Sequence, residues 1–136
     1  MKRLFVLISL AVCLLSHASE PWKLNLIDRG ENVVLKVDLQ EESILVPGME
    51  IFGPMHGYLG GNVYGVWTIT SFKLKKDKAI LRMSNDLGSE TQEAELTQFN
   101  DSTYMLKLVG TVLMKRAVGN KLHKIASTLR MVKNSN

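Results

Sequence analysis

The sequence predicts an all-β protein, a single antiparallel β-barrel of about 8–10 strands. Three observations lead there. Apolar and polar side chains take turns in twos along nearly the whole chain after Pro21. Clusters of Gly, Asn, Asp and Ser separate the alternating runs at short intervals. Helical periodicity is poor throughout that region, and its best stretch, residues 115–129, is broken by Gly119-Asn120 and carries β-branched Thr128. Closing the sheet removes exposed edges, which a small protein without disulfides otherwise has to protect. A β-sandwich is the alternative arrangement of the same strands.

The chain opens differently. Met1-Lys2-Arg3 is a short basic start, residues 4–15 carry no charge, and Ser16-His17-Ala18 supplies small residues before a cut. That order is the signature of a secretory signal peptide, here residues 1–18 with cleavage after Ala18. The apolar run is shorter than the roughly 20 residues a spanning helix needs. Cys13 offers a competing reading as the lipid-modified first residue of a lipoprotein, but Val12 stands where such signals carry a small residue. The expected product is one domain, residues 19–136, secreted or periplasmic in a bacterium.

Trp22, Leu24 and Leu26 alternate with Lys23 and Asn25, and Val33, Leu35, Val37 and Leu39 alternate with more polar neighbours, around a turn at residues 28–32. This reads as a hairpin. A second hairpin follows at residues 66–83, bending at Lys76-Asp77. Its first strand changes parity, with Trp67 and Ile69 on one face and Phe72 and Leu74 on the other. A β-bulge near Thr70-Ser71 brings all four inward; a strand covered on both faces is the alternative. Ala94 and Leu96 then alternate with Glu93, Glu95 and Thr97, and Tyr104, Leu106 and Leu108 with Met105 and Lys107. Residues 111–118 read as one further strand, and Ile125, Ser127, Leu129 and Met131 as the inward side of a last one.

Composition narrows the function. The only cysteine lies in the signal segment, so the secreted part has neither disulfides nor a cysteine-based zinc site. Without Lys2 and Arg3, 15 basic residues face 13 acidic ones. That surplus is too small and too scattered to predict a nucleic-acid partner. The charges are uneven, however: residues 84–101 are purely acidic and nothing acidic follows Asp101, where Lys107, Lys115, Arg116, Lys121, Lys124, Arg130 and Lys133 lie. Pairing across neighbouring strands is the preferred reading, and a binding patch for an anionic surface the other. Lys73, Lys75, Lys76 and Lys78 around the second hairpin's bend read as a solubilising tip.

Residues 47–65 stand apart. They are rich in glycine and contain Met49, Phe52, Met55, His56, Tyr58 and Tyr64, with Glu50 as the one formal charge. An exposed connection is normally polar, so this composition implies cover by protein or by a ligand. Two tight turns around a buried strand at residues 49–52, followed by a glycine-rich strand, account for it structurally; a pocket wall accounts for it functionally.

Gly65-Val66-Trp67 resembles the Gly-x-Trp element of lipocalins, and Arg130 lies on the last expected strand. In that calycin superfamily a tryptophan packs beneath a basic side chain from a late strand, so the resemblance implies an Arg130–Trp67 cation–π contact. Residues 128–133 are similar to the closing strand of fatty-acid-binding proteins. The element sits mid-chain here rather than on the first strand, and the two capping helices of fatty-acid-binding barrels have no counterpart.

No catalytic constellation is present. His56 and His123 are far apart and lack neighbours at metal-ligand spacing, no Gly-x-Ser-x-Gly elbow or phosphate-binding loop occurs, and Glu93 and Glu95 share one strand face. No metal, cofactor or enzymatic activity is expected. Asn100-Asp101-Ser102 fits the N-glycosylation pattern. The expected function is an exported, non-enzymatic barrel holding a small apolar or amphipathic molecule in its mouth. Phe52, Tyr58, Tyr64 and Trp67 are the expected walls, with Arg130 supporting Trp67 or meeting an anionic head. A protein-interaction or structural module of the cell envelope is the rival reading.

Overall fold

The computed structural model describes residues 22–86 and 90–134; the signal segment, including Cys13 and the cut after Ala18, lies outside them. The described residues form ten strands: β1 (Lys23–Asp28), β2 (Val33–Asp38), β3 (Gly57–Gly61), β4 (Trp67–Leu74), β5 (Lys78–Asn85), β6 (Thr91–Gln98), β7 (Thr103–Val109), β8 (Lys115–Val118), β9 (Lys121–Lys124) and β10 (Thr128–Lys133). Eight of them close a barrel in the order β1-β10-β7-β6-β5-β4-β3-β2, while β8 and β9 form a separate two-stranded hairpin. Every neighbouring pair is antiparallel. The barrel is therefore a simple up-and-down meander, and its closure rules out the sandwich arrangement.

Alternation dictates which side chains fill it. Leu26, Val33, Leu35, Val37, Leu59, Trp67, Leu81, Met83, Leu96, Leu106, Leu129 and Met131 are all fully buried. An eight-stranded barrel is just wide enough for its own side chains to occupy the interior, and these large aliphatic groups do so.

The tight turns have local causes. Between β1 and β2, the Gly30 and Glu31 N–H groups both donate to Asp28 Oδ1, and Asn32 takes a left-handed φ of 57°. Between β6 and β7, Asn100 Oδ1 accepts from the Ser102 and Thr103 N–H groups. The β4 bulge falls where the parity change places it: Ile69 opposes Met83 and Ser71 opposes Arg82, leaving Thr70 unmatched. Phe72 then opposes Leu81 and Leu74 opposes Ala79, so all four apolar residues of this strand share the interior side, Leu74 at its exposed rim. β3 is glycine-rich because β2 runs close beside it. A Cβ at Gly57, where φ is 150°, would lie 2.1 Å from the Lys36 carbonyl oxygen.

Three regions differ from the sequence expectation. Residues 49–52 form no buried strand; Glu50–Phe52 is an exposed 3-10 turn. The run expected at 111–118 yields only the short β8, which pairs with β9 and not with the barrel. The last strand starts at Thr128, and Ile125, whose parity suggested strand, instead packs into the core ahead of it. Among the described residues no helix is long and apolar enough to cross a membrane.

Both ends of the barrel are filled. At the end carrying the β1–β2 and β5–β6 turns, termed upper here, Met114 and Ile125 join the core. Buried Gln92 ties this closure to the wall. Its Nε2 donates to the Val109 and Glu93 carbonyls, and its Oε1 accepts from the Leu113 N–H at 2.7 Å. At the lower end Trp22 and Leu39 are buried, joined by the Leu39 N–H donating to the Trp22 carbonyl.

Candidate functional site

The five residues expected to line a barrel mouth do not converge there. Trp67 is fully buried inside, opposite Leu59 and Asn85. Arg130 is exposed on the outer side of β10, because Leu129 and Met131 take the inward positions, and β10 lies four strands away from β4 around the barrel. The wall thus separates them, and the cation–π contact implied by the lipocalin resemblance is not formed. Tyr58 opposes Lys36 and Thr68 on the outer face, half-buried. Tyr64 is exposed at the upper end, its N–H donating to the Lys115 carbonyl. Phe52 is 70% exposed on the 3-10 turn. The reason is parity: alternate residues of one wall cannot line one side. The Trp67 indole N–H is buried without a hydrogen-bond partner among the described residues.

A roomy site lies outside the barrel. Residues 39–56 leave β2 at the lower end and fold back over the outer face of β4 and β5. Asp38 starts this fold. It is buried, and its carboxylate accepts from the Ser43 hydroxyl and from the Gln40 and Glu41 N–H groups. The Ser43 bond chiefly holds its pKa below the usual carboxylate value; burial opposes this, and the two backbone bonds and the Lys23 charge reinforce it. Ile44 and Met55 form an isolated antiparallel bridge with N···O distances of 2.9 and 2.7 Å. His56 closes the loop, with Nδ1 2.9 Å from the Asp38 carbonyl and its own carbonyl accepting from the Asp38 N–H. A carbonyl only accepts, so Nδ1 donates in this bond. The ring meets Phe72 edge-on, with centroids 4.8 Å apart.

Between loop and wall lies a groove of about 500 Å³. Met49, Met55 and His56 line it from the loop, Thr68, Thr70 and Ser84 from the wall, and Glu42 and Asp86 are its charged residues. The cover accounts for Thr68. It points outward, yet is only 6% exposed, and its hydroxyl lies 3.3 Å from Met49 Sδ. Soft apolar sulfur thus faces hydroxyls across the groove, with carboxylates among its walls, an arrangement suited to an amphipathic guest.

Of the segment that sequence reasoning singled out, residues 47–65, Met49, Met55 and His56 line this groove. That reasoning missed Thr68 and Ser84, whose one signal was that residues 66–69 offer apolar or β-branched groups on both parities. Among the described residues, no three of His, Cys, Asp and Glu gather closely enough to hold a metal ion. Burial, with the Asp101 charge in addition, pushes the Tyr104 hydroxyl pKa up, and this residue belongs to the core rather than to the groove. Comparison with known proteins gives no match: no family model, no curated protein and no solved structure aligns with this chain.

Proposed function

We propose that this chain is an exported, non-catalytic binding barrel whose guest is a small amphipathic molecule held in the outer groove. The carrying observation is the groove itself, about 500 Å³ between the folded-back loop and the β4–β5 wall, with Met49 and Met55 opposite Thr68 and Ser84. Export rests on the order of residues 1–18. The apolar part of the guest lies against the methionines. Its head is cationic or hydrogen-bond-donating, because the charged residues lining the groove are Glu42 and Asp86. The calycin reading draws support from the up-and-down order of eight strands, an arrangement that lipocalins use. It differs from them in siting the guest on the wall, since the interior is taken by core side chains.

Methyl NMR tests this directly. Titration with dodecylamine should move the methyl resonances of Met49 and Met55 and leave those of Met83 and Met131, which are fully buried in the barrel. Movement of the core methyls alone would relocate the guest to the interior and defeat the proposal, and so would no movement with any amphiphile tried. A second reading, an envelope-protein contact, has its own observation: Ile51 and Phe52 are 90% and 70% exposed side by side on the loop.

A further inference from the structure

The β8–β9 hairpin is anomalous as a piece of sheet. It pairs only with itself, and all four β9 residues are exposed. Its register sets Lys115 opposite Lys124 and Arg116 opposite His123. Like charges directly opposed weaken a ladder, and a lone two-stranded ribbon is marginal in water. The hairpin is instead held at its root. Met114 and Ile125 are buried on either side of it, the Ile125 N–H donates to the Met114 carbonyl at 3.1 Å, and Arg116 pairs with Glu31 of the β1–β2 turn. The barrel thus presents a cationic arm that does nothing for its own core.

We infer that this arm docks the protein on an anionic lipid surface. Lys115, Lys121 and Lys124 have no ion pair among the described residues, and no acidic residue occurs after Asp101 in the chain. The carboxylates at the same end are engaged nearby: Glu31 with Arg116, Asp28 with the Gly30 and Glu31 N–H groups, and Asp86 with the Val66 N–H. Asp86 and Glu90, on the β5–β6 side, are both exposed and keep their charge. Interspersed with the cations are Val118 and Leu122, about half exposed, and Tyr64 stands half exposed beside the hairpin root, bonded through its N–H to Lys115. Cations flanking aliphatic tips, with a tyrosine at their base, match the charged and then greasy layers of a lipid interface. A nucleic-acid strand is matched less well, since the arm itself carries no Phe, Tyr or Trp and its one ring is that of His123.

Vesicle co-sedimentation of the chain from Ser19 onward, which holds every strand of the barrel, tests the inference free of the apolar segment at residues 4–15. Vesicles of phosphatidylcholine with phosphatidylglycerol should bind it, and phosphatidylcholine alone should not. Added salt should weaken the binding, and Lys121→Gln or Lys124→Gln should each lower it about fivefold. Leu122→Ser should also lower it while leaving the salt dependence unchanged. The control is Lys75→Gln with Lys76→Gln, a charge change at the opposite end of the barrel. Equal loss from that pair would show that overall charge and not the arm is responsible, and would overturn the inference. Equal binding to both vesicle types would do the same, as would a DNA or RNA oligonucleotide that binds more tightly and displaces the vesicles. Unaltered circular dichroism melts in all variants establish that the fold is intact.

Discussion

Residues 39–56 and residues 110–127 are the two long connections of the barrel, equal in length and leaving opposite ends, yet they behave in opposite ways. The first is pinned along its course by the Asp38 carboxylate, the Ile44–Met55 bridge and the His56 ring, and it lies down on the wall. The second is pinned only where it leaves and rejoins the barrel, by Gln92, Met114 and Ile125, and its middle stands away as a hairpin. Charge explains part of the contrast. The second connection gathers Lys115, Arg116, Lys121 and Lys124 in one short stretch, where mutual repulsion and hydration oppose packing on a wall. The first places apolar Met49 and Met55 where the wall offers Thr68 and Ile69. A long connection becomes a cover when its middle has something to bury, and an arm when only its roots do.

The contrast can be broken first at the start of β3. Gly57→Ala forces a Cβ against the Lys36 carbonyl at a φ that L residues rarely take, and should cost about 3 kcal/mol by chemical denaturation. The loop would lose its seat on β2 while the arm keeps its root. Gln92→Leu attacks the arm instead. It leaves the Leu113 N–H without its acceptor and should cost about 2 kcal/mol, with faster hydrogen exchange confined to residues 110–127.

Asp38→Asn sharpens the comparison through pH. Because the folded pKa lies below the ordinary value, the carboxylate's contribution is complete above about pH 4 and disappears as pH falls through the lower folded value. The melting-temperature gap between the original chain and the variant should therefore be widest near neutrality and should close in acid. The smallest effect belongs to the exposed 3-10 turn. Ile51→Ser and Phe52→Ser should each change stability by no more than about 0.5 kcal/mol, since neither side chain is buried. A larger loss would mean that the cover depends on its tip.

Much of the barrel was legible in the sequence because parity is a local property. Leu24 and Leu26, then Val33, Leu35 and Val37, declare their facing directly, and the slip between Ile69 and Phe72 declares the bulge. The charge reading was legible in part: Glu95 does oppose Lys107 across β6 and β7 and also pairs with Lys78, whereas Lys115, Arg116, Lys121 and Lys124 went to the arm. What parity cannot tell is position around the circumference. Trp67 and Arg130 each sit on the strand expected of them, and alternation already turns Arg130 outward between Leu129 and Met131, yet no spacing along the chain says that the two strands lie far apart around the barrel. Nor does alternation reveal that a loop from β2 lies over Thr68, because cover on an outer wall leaves no period of its own. Ile125 misled for a related reason: it continues the parity of Leu129 and Met131 through a segment that is not strand.

The seam between β1 and β10 has a further consequence. It is the joint at which opposite ends of the barrel sequence meet, with Leu26 opposite Lys133, Ile27 opposite Val132, and the Asn134 N–H reaching the Asn25 carbonyl. All other barrel strands pair with the strand that came just before them or, at β7 and β10, with one separated only by the arm. The molecule therefore assembles like a zip with its last tooth reserved. Until residues 128–133 arrive, β1 and β7 are raw borders able to recruit another copy, so shortening the chain by that one strand should make what remains stick to itself.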